Sequence, residues 1–350
     1  MKICFILSSY ISHLRAGIDY IYSLCSAGID IVKTIEDADI VIIHDEPYRM
    51  VNYFRANPIL KDKYVIGYCV WEADRLNPNQ YRWLGLLDEI WTCSVFCRDI
   101  MRAVNKPVHV VPHIVKPAKT DPEADARLRE RLGLAEERFV FYTMGYEWER
   151  KNIDAALKAF TRAFPDGSTT FVVKTTAPLQ SALLHSPGVL NVVGHITDEE
   201  IAALHRIGHC YVSAHCSEGW GLCLSEAMAN GNLVVATGYS GNMDFMNSGN
   251  SLLVDYTIEP IRQPATRTFM GFDHTLTYAS WAYVDECHLS IQLRRAYDEW
   301  SELQPLRDRA RAVIDQFSSA VVGEVMLQRL KEVMERNVLE KIDVDYINAE

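Results

Sequence analysis

The chain has 350 residues, 49% hydrophobic and 23% charged, the balance of an ordinary globular protein with room for two cores. A formal net charge of −11 excludes a broad nucleic-acid-binding face, which needs an excess of lysine and arginine. No stretch approaches the roughly eighteen apolar residues of a membrane span. The nine cysteines are odd in number and contain no CxxC pair, so they read as small buried hydrophobes in a reducing compartment rather than as a disulfide framework or zinc site.

The opening MKICFILSSY has one lysine and a short apolar run, too short for a secretory leader, and reads as a first buried strand at 3–7. A helical pattern runs from Gly17 to about residue 26. Apolar runs follow at 29–34, 38–45, 64–72, 88–94 and 108–115. They are rich in valine and isoleucine and nearly continuous, as in parallel strands covered on both faces. Residues 116–134 hold two prolines and a dense charge run, and read as a linker entering a short helix. A second series then begins: strands at 139–145, 169–176, 189–196, 210–215, 233–239 and 251–256, with a helix over 152–164. Thr197 is an N-cap and Glu200 completes its capping box. The remainder is expected to be helical over 285–300 and about 306–337. Strands alternating with helices predict two doubly wound α/β domains in tandem, over 1–115 and 135–320, with a helix over 321–350 crossing back to the first. Ligands of such pairs sit in the cleft, at the carboxyl ends of the strands.

Glu218 and Glu226 bracket the stretch EGWGLCLSE, eight positions apart, ahead of AMANG. Carboxylates accept charge-assisted bonds from paired hydroxyls, as on a nucleotide-linked sugar. Gly219 and Gly221 allow close backbone approach, and a helix starting near Leu222 would aim unpaired N–H groups at a diphosphate. Arg150-Lys151 follows a strand end, where fixed cations would stabilise the charge of a departing nucleotide diphosphate.

The segments 213–246, 250–256 and ERKN at 149–152 resemble the retaining glycosyltransferases of family four, which have the GT-B fold. Residues 69–101 and VHVVPHIV are similar to a bacterial polysaccharide-assembly subgroup. The resemblance runs from about residue 64 to 300 and is most specific at 213–246. It implies two Rossmann-like domains facing a cleft, with Glu218 beside the donor sugar and Glu226 on the ribose hydroxyls. Backbone groups of Gly219, Trp220, Gly221 and Leu222 would hold the sugar or phosphate, with Gly145 at the preceding strand end and His195 beside the base. Tyr146 follows Gly145 where the family carries arginine, so the cationic role falls to Arg150, Lys151 or Lys174. Ser8, Ser9 and the loop up to Gly17 stand where the family has a glycine-rich phosphate loop, but without its paired glycines. On the acceptor side the candidates to orient a hydroxyl or take its proton are His44, Asp45, Glu46, Glu72 and His113.

The expected activity is transfer of a hexosyl group from a GDP- or UDP-linked sugar to a glycan or lipid-linked glycan, with retention, without cofactor or metal. An inverting transferase with Asp45 or Glu46 as base, a sugar-nucleotide epimerase and a non-catalytic binder are the alternatives. The expected location is cytoplasmic. Arg75, Arg82, Arg98, Arg102 and Lys106 offer a peripheral contact with anionic lipid on the inner membrane face, or a solvated helix face.

Overall fold

The structure, a computed structural model, describes residues 1–262 and 279–347, with side chains described to residue 336. The first part of the chain builds β1 (Lys2–Leu7), α1 (Ile11–Ser26), β2 (Asp30–Val32), β3 (Ile40–His44), α2 (Met50–Ala56), β4 (Tyr64–Tyr68), α3 (Pro78–Leu84), β5 (Glu89–Thr92), α4 (Val95–Met101) and β6 (Val108–Val110). Its strands pair in parallel in the order β2-β1-β3-β4-β5-β6. Ile40, Val41, Ile42 and Ile43 are all fully buried, because β3 is covered on both faces.

The connecting segment contains α5 (Pro122–Leu132), capped by the Asp121 side chain and closed by Gly133 in the left-handed region. The second sheet comes from β7 (Val140–Gly145), β8 (Thr170–Thr175), β9 (Val189–Val193), β10 (Cys210–Ser213), β11 (Leu233–Thr237) and β12 (Leu252–Val254), in the order β12-β11-β10-β7-β8-β9. Helices α6 (Ile153–Ala163), α7 (Asp198–Ile207) and α8 (Leu222–Ala229) alternate with these strands. Both bonds of the Thr197–Glu200 capping box form at the start of α7.

Three elements differ from the sequence reading. Helix α1 begins at Ile11 rather than Gly17, so the segment between Ser9 and Gly17 is mostly helix and not a phosphate loop. His13, Ala16, Gly17, Tyr20 and Leu24 fall at helical spacing and are buried against the sheet. Gly17 lies inside the helix because a Cβ there would run into Leu7 and close on His44. Next, β13 (Tyr256–Pro260) and β14 (Ser280–Val284) form an antiparallel pair where no strand was expected. Most of β13 is exposed, so its residues lack the continuous apolar run that marks the other strands. After α9 (Glu286–Asp298), the third difference is a break in the terminal helical stretch. It divides into α10 (Gln304–Ile314) and α11 (Ser319–Ile347), with a turn at Asp315–Phe317. Phe317 packs edge-on against Trp220 at 4.9 Å and its carbonyl accepts the Val115 N–H, so packing bends the chain.

Helix α11 then returns to the first domain. Ser23 donates to the Ser319 carbonyl, and Arg329 forms a two-pronged pair with the buried Glu89 at 2.8 and 2.6 Å.

A candidate active site between the two sheets

In each sheet the chain reverses its direction of travel beside its first strand, and the loops leaving the two strands there splay apart into a crevice. In the second sheet that point lies between β7 and β10. The loop after β7 carries Arg150 and Lys151, the loop after β10 carries Glu218, and the Cys216 N–H donates to the Arg150 carbonyl at 2.7 Å to join them. In the first sheet the point lies between β1 and β3, where Ser8 and Asp45 meet.

Glu218 is the centre of this arrangement. Its Oε1 lies 2.5 Å from Lys151 Nζ and its Oε2 3.1 Å from Arg150 Nη1. Its own N–H donates to Ser240 Oγ at 2.8 Å and its carbonyl accepts the Gly241 N–H. Burial would raise its carboxyl, but Lys151 and Arg150 outweigh that and hold it down at about 2. Arg150 is only 4% exposed and lies deeper than a residue at the cleft mouth. One arm donates to the Ser217 carbonyl; the other reaches Glu72 Oε1, across the cleft, at 2.8 Å. Burial pushes the Glu72 carboxyl up and Arg150 opposes it only in part.

Lys151 runs its methylenes along Gly145. Lys174, beside Met144 in the sheet, is 9% exposed, and burial pushes its ammonium down. Among the described residues it has no ion-pair partner. Gly221 has φ +93° and starts α8, a conformation that suits glycine. Trp220 is core: its indole donates to Ser225 Oγ and its ring stands edge-on to His113. The Gly219 carbonyl accepts the Cys93 thiol. Glu226 is 39% exposed on α8, with its Oε2 3.6 Å from His205. His195 is exposed between β9 and α7.

The acceptor-side candidates divide by their partners. His44 is fully buried, stacked on His13 at 5.1 Å, and burial holds its ring neutral. Asp45 accepts from Ser8, Tyr53 and the Glu46 N–H at 2.7–2.9 Å, and so fixes the loops. Glu46 is 6% exposed, and burial, with Glu72 and Asp45 adding to it, pushes its carboxyl up to about 7. His113 bonds the Tyr20 hydroxyl at 2.7 Å, and burial pushes it down to about 3. The sequence reading missed an aromatic stack across the cleft. Tyr146 and Trp148 lie face to face at 4.2 Å, and Tyr10 from the first domain stacks on both at 6.0 and 6.4 Å. The signal was present as Tyr-x-Trp immediately past a strand end. Of the basic residues considered for lipid contact, Arg75 pairs with Asp74, and Arg98 and Arg102 share Asp99.

The architecture is the GT-B fold. Residues 125–261, which include the second sheet and its loops, match the family model described as Glycosyl transferases group 1. Among solved structures, HepE of Anabaena, in complex with UDP and glucose, is similar with a TM-score of 0.72 and 13% identity, covering 95% of this chain and 100% of that one. The pneumococcal O-GlcNAc transferase GtfA, in complex with UDP and GlcNAc, has a TM-score of 0.61 and 14% identity over 92% of this chain and 61% of its own. Sucrose-phosphate synthase of Thermosynechococcus elongatus has a TM-score of 0.66 and 12% identity over 96% and 100%. A search of curated proteins gave no match. Among the described residues no cluster of three or more His, Cys, Asp or Glu side chains is arranged to hold a metal ion, and no helix is long and apolar enough to cross a membrane.

Proposed function

We propose that this chain transfers a sugar from a nucleotide diphosphate sugar to a hydroxyl of a glycan or lipid-linked glycan, with retention of anomeric configuration. The observation that carries the reading is Glu218, clamped by Lys151 and Arg150 at the crevice between β7 and β10. Glu218 accepts hydrogen bonds from donor-sugar hydroxyls, and its low affinity for protons keeps it an acceptor. Lys151, Lys174 and the first N–H groups of α8 oppose the charge that grows on the diphosphate, without a metal ion being needed for that role. The bond from the anomeric carbon to phosphate oxygen breaks as the acceptor oxygen bonds that carbon on the same face. The acceptor proton passes to the departing phosphate. Arg150 joins Glu72 to Glu218, so closure of the two domains completes the charge arrangement, and Tyr10 over Tyr146 and Trp148 helps keep water out. Glu226 holds the ribose. The UDP found in HepE and GtfA supports UDP-sugars as the first donors to test.

A second reading has one observation in its favour. Glu46, with its carboxyl near 7, is suited to take a proton from an acceptor and would drive an inverting reaction. Incubation with a sugar nucleotide, with and without an acceptor, followed by NMR of the anomeric proton, separates these readings. Retained configuration supports the first and inverted configuration the second. Donor isomerised without acceptor means an epimerase, and donor bound but unchanged in every acceptor tested sinks the transferase reading.

A further inference from the structure

The loop that carries Glu218 is pinned from two sides. On the side of its own domain, the Glu218 N–H donates to Ser240 Oγ at 2.8 Å and the Glu218 carbonyl accepts the Gly241 N–H at 2.9 Å. Gly241 stands so close behind that a Cβ on it would overlap the Gly219 carbonyl. The loop therefore has no room to retreat toward its own domain.

The opposing side belongs to the first domain. The Gly219 carbonyl accepts the Cys93 thiol, from the turn after β5, at 3.2 Å. Cys97, on α4, donates to the Trp71 carbonyl at 3.1 Å and lies 3.6 Å from the same Gly219 oxygen. Both thiols are fully buried, and a buried carbonyl needs a donor. A Cβ on Gly219 would run into Val70 Cγ1, just past β4, with Cys97 Sγ and the Trp71 carbonyl each at 3.6 Å. Gly219 does not have a positive φ, so crowding and not backbone conformation demands glycine there. The sequence reading has this glycine admitting a ligand. The space its missing side chain leaves is filled instead by Val70.

We infer that the first domain sets the position of Glu218 through Gly219: Val70 and Cys93 form a seat for the loop and are positioning residues for the carboxylate that grips the donor sugar. This rests on the proposed role of Glu218. It extends that site to two residues of the other domain, and makes the placing of the Glu218 carboxylate against Lys151 and Arg150 depend on how the loop is seated.

The test is urea unfolding of the full chain at pH 7, with E218Q as the probe of where the carboxylate stands. In wild type, E218Q should raise the unfolding constant about two-hundredfold, because it removes the charge clamped by Lys151 and Arg150. G219A should be destabilised by the clash. V70A, which costs stability in wild type by leaving a cavity, should restore stability to G219A by making room. The cost of E218Q should be about tenfold smaller in G219A and return to its full size in G219A/V70A. C93A crowds nothing and gives a second route should G219A fail to fold. The cost of E218Q should be about threefold smaller in C93A and full in C93S, whose hydroxyl still donates to the carbonyl. If V70A lowers the stability of G219A as it does that of wild type, the glycine is not there to admit the first domain and the inference is overturned. It is overturned equally if E218Q costs as much in C93A as in wild type. E218Q without cost in wild type would instead remove the clamp, and with it the proposed function on which the inference rests.

Discussion

Replacing Glu218 with glutamine removes one charge and almost no volume, so it isolates the electrostatics of the clamp. The Glu218 carboxyl is held at about 2, against 4.5 for an unperturbed glutamate, and a displacement of that size corresponds to about 3 kcal/mol of preference for the charged form. Because the native state lowers this carboxyl, its contribution to folding is present above about pH 4.5 and is lost as the pH falls toward 2. At pH 7, E218Q should therefore unfold about 3 kcal/mol more easily in urea than wild type, with Lys151 left facing a neutral amide in place of a carboxylate. Near pH 2 the two proteins should converge. Turnover should fall by roughly two to three orders of magnitude, the usual cost of losing a preorganised charged contact. Equal urea midpoints at pH 7 would show that Lys151 and Arg150 do not stabilise this carboxylate, and the clamp would have to be abandoned.

Glu46 has the opposite sign. Its raised carboxyl, near 7, makes wild type lose stability relative to E46Q as the pH climbs from about 4.5 through 7; parallel thermal-melt profiles for the two would contradict this. K151M and K174M should each lower kcat/KM for donor by about a hundredfold, since each removes a cation from the diphosphate; steady-state kinetics with UDP-sugars would read it, and unchanged values would remove that lysine from the mechanism. R329M removes the guanidinium from the fully buried Glu89, leaving it Trp91, Tyr64 and the more distant His109, and should destabilise the protein by about 3–5 kcal/mol. A denaturation midpoint equal to wild type would mean that α11 is held by its apolar contacts alone.

The sequence carried the two sheets because their strands are buried on both faces. The centres of runs such as 38–45 and 139–145 have to be apolar, as Ile40–Ile43 and Val140–Tyr142 are, and that texture is visible without a structure. The Thr197–Glu200 cap was equally legible, since a capping box is a local rule. What escaped was set by distant packing. β13 has an exposed, mixed composition, and the bend at Asp315–Phe317 depends on Phe317 meeting Trp220, about a hundred residues earlier in the chain. Within the site, the Arg150-Lys151 pair and Glu218 could be picked out as neighbours in chemistry. That Arg150 would spend its second arm on Glu72 could not, because a pairing across domains leaves no periodic trace. The roles of Asp45 and His113 likewise emerged only from their bonding partners.

Helix α11 belongs by contact to the part of the molecule made first. It lies on α1, with Ser23 against Ser319 and Gly323, and it supplies the guanidinium that neutralises Glu89. A ribosome releases β1 through β6 long before this helix, so the nascent domain must wait, with Glu89 lacking its guanidinium partner and one flank uncovered, until translation has passed residue 329. Early termination anywhere upstream would thus harm the amino-terminal half more than its distance in sequence suggests, leaving a fragment prone to clumping or to capture by chaperones.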